Sequence, residues 1–110
     1  MVTNKLKVIK DYEKLSKEIK EQIKLVYPEG YSDYLIDVAT TKGVSITALP
    51  FETFDKMYLI RMSSNKAIQL IEDDADYDYD GSLKAGVRDK YEDKHSEVGY
   101  LEENENYEAG

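Results

Sequence analysis

A chain of 110 residues with 23 acidic and 15 basic side chains carries a formal net charge of −8 and has the length of one domain. It contains no cysteine, which excludes disulfides, thiolate zinc sites, iron–sulfur clusters and cysteine nucleophiles. No apolar run approaches the ~20 residues of a membrane span, and the lysine-studded start lacks a signal-peptide core, so the expectation is a cytoplasmic protein without membrane contact.

The charge is unevenly placed. Residues 1–73 hold eleven bases and eleven acids, whereas residues 74–110 hold four bases and twelve acids, so four minus twelve accounts for the whole −8. After Ile71 the large aliphatic residues are only Leu83, Val87, Val98 and Leu101, too few for a second core. These two counts predict an α+β domain over 1–73 and an acidic Asp/Glu/Tyr-rich tail over 74–110.

In chain order, Tyr12, Leu15, Ile19, Ile23 and Val26 recur at helical spacing, with Asp11 and Ser16 both suitable N-caps and Pro28 and Gly30 as the stop. Two β-rich runs, Tyr34 to Ala39 and Val44 to Leu49, flank TTKG and read as a hairpin. Pro50 ends the second strand, a polar FETFD turn follows, and Met57 to Met62 reads as a third strand. Ser63 or Ser64 can then cap a helix through Ala67, Ile68 and Ile71. The predicted fold is a small three-stranded antiparallel sheet with helices packed on one face, in the order α-β-β-β-α. Such a core is modest, which predicts marginal stability or help from self-association. A thin amphipathic helix is expected over 82–98, docked, partner-bound or disordered until bound, with the last ten residues irregular.

The segment DADYDYDGSL carries the only chemical motif. Asp76, Asp78, Asp80 and Gly81 match positions 1, 3, 5 and 6 of a calcium loop, but position 12 is Val87 where a bidentate glutamate is needed. A solvated acidic linker is therefore the default, with Asp76, Asp78 and Asp80 as candidates for weak divalent-cation binding, and no cofactor is expected. In an extended chain Asp74, Asp76, Asp78 and Asp80 would line one side at ~6.6 Å intervals with Tyr77 and Tyr79 on the other. Such a stripe can imitate a nucleic-acid strand and occupy a basic groove. His95, the only histidine, reads as a surface residue, and no catalytic motif is present. Tyr27 and Tyr31 flank the PEG turn and close one end of the core, or join Phe51 and Phe54 of the FETFD turn in an exposed contact surface.

The runs KVIKDYEKL, IKEQIKLVYPEGYSDYLI, ALPFETFDKMYLIRM and DDADYDYDG together resemble a group of small acidic bacterial proteins, some of which carry a primase label. The resemblance covers most of the chain and brings no functional residue with it. A primase needs zinc-ribbon cysteines or a long catalytic domain, so what the resemblance implies is a link to nucleic-acid metabolism.

The functional expectation is a non-enzymatic protein-binding or regulatory module. Its candidate contact residues are Phe51, Phe54, Asp74, Asp76, Tyr77, Asp78, Tyr79 and Asp80, and its partner is a protein with a basic surface, such as a nucleic-acid-binding protein. Direct nucleic-acid binding is not expected, because the tail and phosphates repel. Residues 1–24 carry seven lysines against four acids, so the alternative is a tail that folds over the first helix and masks it.

Overall fold

The first helix begins where its cap is strongest. The computed structural model, which describes residues 5–96, starts α1 (Lys17–Val26) after Ser16, whose hydroxyl accepts from the Ile19 amide at 3.2 Å. Asp11 caps nothing. Tyr12 and Leu15, which share the stripe of Ile19 and Ile23, lie in a 3-10 turn and its end, yet both still point into the core. Upstream of that turn is β1 (Leu6–Asp11). The other elements are β2 (Ile36–Ala39), β3 (Ser45–Glu52), β4 (Lys56–Arg61), α2 (Ser64–Glu72) and α3 (Ala85–His95), and Ser63 caps α2 through the Lys66 amide.

The sheet has four strands in the order β1-β4-β3-β2. β1 pairs parallel with β4, and the other two pairings are antiparallel, so the three-stranded antiparallel expectation is corrected to a mixed four-stranded sheet. β1 was hidden because it is an edge strand with lysines at positions 5, 7 and 10, which leaves only Leu6, Val8 and Ile9 as apolar signal. β3 also runs past Pro50 to Glu52. The Pro50 carbonyl points away from β4 and accepts from the Tyr27 hydroxyl, so its missing N–H removes no bond from the β3–β4 ladder.

Strand alternation separates the two faces of the sheet. Leu49 and Phe51 of β3 lie beside Ile60 and Tyr58 of β4, and on this face they meet Ile19 and Ile23 of α1 and Ala67, Leu70 and Ile71 of α2. Tyr12, Leu15, Tyr31 and Met62 complete that core. Ile23, Leu49 and Ile60 are fully enclosed, each contributing roughly 1.5–3 kcal/mol of burial free energy.

The third helix packs on α1 rather than on the sheet. Tyr77, Leu83, Tyr91 and His95 are all buried, so the boundary expected at residue 73 does not divide folded from solvated chain: residues 74–95 belong to the folded body. Apolar counting missed this because two tyrosines, one leucine and a histidine are enough to make the contact. Of the helix expected over 82–98, the part observed is Ala85–His95. The irregular ending expected for the last ten residues lies outside the described residues.

Candidate functional site

The acidic segment leaves α2 through two local turns that set its side chains in opposite directions. The Asp76 amide donates to the Asp74 carboxylate at 2.9 Å, and this turn aims both carboxylates at Lys24, each 2.7 Å from its Nζ. Lys24 is largely buried on α1. Burial opposes its charge, but the hydrogen bonds and charges of Asp74 and Asp76 outweigh that and hold its pKa well above the ordinary lysine value. Asp76 also accepts from the Tyr91 hydroxyl at 2.7 Å, tying this turn to α3. Burial, which favours the neutral acid, is outweighed at Asp76 by Lys24 and then Tyr91, leaving its pKa lowered.

Tyr77 then turns inward. Its ring meets Tyr31 edge-on with centroids 6.3 Å apart, and its hydroxyl donates to the Tyr27 carbonyl at 2.9 Å. A tight hairpin follows: the Asp78 amide donates to Ser82, the Gly81 amide donates to Asp78, and Tyr77 pairs with Leu83 across it. Gly81 has φ +89°, a left-handed conformation that glycine adopts without strain, and Asp80 accepts from the Ser82 amide. This leaves Asp78, Tyr79 and Asp80 at the exposed tip, with Tyr79 wholly in solvent.

Between that tip and α2 runs a groove of about 460 Å³. Its floor is apolar, built from Tyr31, Tyr77, Ala67, Ile68 and Ile71, with Ile68 47% exposed. Its rim carries Glu29, Glu72, Asp78 and Asp80, and no basic side chain lines it. An apolar floor under an all-acidic rim selects for a ligand that is apolar at one point and positively charged around it.

The predicted contact residues are thus divided. Asp78, Tyr79 and Asp80 reach the groove or its tip, and Tyr77 lines it from within the core. Asp74 and Asp76 point away to Lys24, so the four-aspartate stripe backed by tyrosines is corrected: the segment turns instead of extending, and two of the four carboxylates are engaged internally by one lysine. The FETFD surface is split as well. Phe51 is 2% exposed and stacks obliquely on Tyr58, whereas Phe54 is 62% exposed at the β3–β4 turn. Among the described residues no three Asp, Glu, His or Cys side chains converge as a metal ligand set, because Asp76 faces Lys24 while Asp78 and Asp80 spread around the hairpin.

His95 is fully buried, which corrects the surface reading. Its Nε2 lies 2.8 Å from Glu21, which also receives Lys94 at 2.8 Å, and its ring packs edge-on to Tyr91. Despite burial, these two partners hold the Glu21 carboxyl below its ordinary pKa. Sequence reasoning also missed Glu29, Glu72 and Ile68 as groove residues. Only Ile68 carried a signal, as an apolar position of α2. No protein family, curated protein or solved structure matches the chain.

Proposed function

We propose that the protein is a non-enzymatic binding module whose groove between α2 and the Asp78–Gly81 hairpin takes a basic segment of a partner protein that carries an apolar anchor. The observation behind this reading is the pairing of an exposed apolar floor at Ile68 and Ile71 with the four carboxylates of Glu29, Glu72, Asp78 and Asp80. The anchor covers Ile68, and the surrounding cations meet the rim. A partner that presents such a segment is one that binds an acidic polymer, and a nucleic-acid-binding protein fits, whereas phosphates themselves are repelled.

The test is calorimetric titration with a synthetic peptide of lysines around a single leucine. Saturable binding that weakens with added salt is expected, with loss in an Asp78→Asn/Asp80→Asn double variant and weakening in Ile68→Ser. Undiminished binding by the double variant would contradict the proposal.

A second reading, that the acidic segment masks α1, is favoured by the docking of residues 74–95 on that helix. The charges are not those of an acidic tail on a basic helix. Lys24 of α1 meets Asp74 and Asp76, but in the reverse sense Glu21 of α1 meets Lys94 and His95. Lys17 and Lys20 of α1 show no ion pair with the segment among the described residues. In this reading, docking regulates only the Lys24 end of the helix.

A further inference from the structure

The hairpin that carries Asp78 and Asp80 shares one residue with α3. Asp76 Oδ2 lies 2.7 Å from Lys24 Nζ of α1 and accepts from the Tyr91 hydroxyl of α3 at 2.7 Å. The Asp76 carbonyl meanwhile accepts from the Lys84 amide at 2.9 Å, closing the hairpin two residues below the bond from Asp78 to Ser82. Lys84 is in turn the N-cap of α3. One side chain and one peptide group thus join α1, the hairpin and the third helix.

α3 itself is lightly held. Of its eleven residues only Tyr91 and His95 are buried. Its polar anchors are the Tyr91 hydroxyl and the pair Lys94 and His95, which meet Glu21 of α1 at 2.8 Å each. A segment held by so few groups opens at lower free energy than the core beneath it. When it lifts, Asp76 loses the phenol, the base of the hairpin loses a fixed point, and Asp78 and Asp80 lose their placement across the groove from α2.

We propose that α3 is a regulatory arm: its docking on α1 and the ordering of the hairpin rim are coupled through Tyr91 and Asp76. The coupling rests on these bonds, while its consequence for binding rests on the groove as a binding site. Coupling acts equally in both directions. A cation on Asp78 and Asp80 holds the arm down, and anything that lifts the arm from Glu21 weakens the groove.

Amide hydrogen exchange on the full chain, resolved by NMR, tests this as a double-mutant cycle. Glu21→Gln weakens the arm at a residue that lines no part of the groove. It should speed exchange of the Asp78 and Gly81 amides at least about twofold, together with α3, and leave β3 and β4 unchanged. In a Tyr91→Phe background, which lacks only the hydroxyl, the same substitution should speed α3 and no longer reach those two amides. Lys94→Ala, at a side chain 41% exposed, replaces Glu21→Gln in the cycle if the latter unfolds the chain. Saturation with the lysine–leucine peptide should slow exchange in α3, which contributes no residue to the groove, by keeping the arm docked without moving it. Hairpin amides indifferent to Glu21→Gln overturn the coupling, as does an effect that Tyr91→Phe leaves intact, even where the peptide binds. A peptide that fails to bind the unaltered chain counts against the groove, and the coupling is then decided by the cycle in the unbound chain.

Discussion

The helix-side core and the acidic segment are both folded, but different forces hold them. In the core, Ile23, Tyr31, Leu49, Phe51 and Ile60 are each at most 2% exposed, and stability comes from apolar area. In residues 74–95 four buried side chains, Tyr77, Leu83, Tyr91 and His95, are supplemented by the ion pairs of Lys24 with Asp74 and Asp76 and of Glu21 with Lys94. The difference shows that an acidic segment need not be a solvated one. Its inward charges are structural, whereas its outward charges at the hairpin tip are free to meet a partner.

The comparison is broken most forcefully from the core side. Phe51→Ala should cost about 3–5 kcal/mol and lower the chemical-denaturation midpoint of the whole domain, because Phe51 packs on Tyr58 beneath both helices. Lys24→Ala should cost less, about 2 kcal/mol, because its carboxylate partners are only partly buried, and act locally. It leaves Asp74 and Asp76 facing each other, so amide exchange should quicken over 74–95 before it does in β3 and β4.

Acid should have the same selectivity. Glu21 and Asp76 have lowered folded-state pKa values, so their contribution is complete above the unfolded carboxylate values near 4 and is lost as pH falls through the lower folded values. NMR shifts of α3 should therefore move below about pH 4 ahead of those in the sheet. At the alkaline end the Tyr91 phenol is pushed up to about 12 by burial and then by Asp76. A raised pKa stabilises below the unfolded value near 10 and ceases to do so as pH rises toward 12, so α3 should loosen there too. The smallest effect belongs to the hairpin tip: Asp78→Asn/Asp80→Asn should shift stability by less than about 0.5 kcal/mol.

Much of the fold was legible because periodicity reports burial. The α1 stripe, the β2–β3 hairpin and the α2 cap at Ser63 all carried local signals, and the structure contains each of them. β1 was not legible, since an edge strand paired in parallel to a distant segment has no local turn to announce it and its lysines hide its alternation. The docking of residues 74–95 was invisible for another reason. Net charge counts Asp74 and Asp76 with Asp78 and Asp80, and only tertiary placement of Lys24 separates the pinned pair from the free one. His95 was misjudged on the same ground, because its charged neighbours in sequence, Lys94 and Glu97, suggest solvent while Glu21 and Tyr91 enclose it. Truncation after Asp73 would also remove Tyr77 and Leu83 from the core, so point substitutions at the hairpin are the cleaner probe of the groove.

The most direct test of the groove is a two-dimensional NMR titration of the full chain with the lysine–leucine peptide. The account predicts saturable shifts confined to α2, Glu29–Ser32 and residues 77–81, absent in Asp78→Asn/Asp80→Asn while its unbound spectrum stays folded. Shifts centred on another surface, or retained in full by that variant, would contradict it.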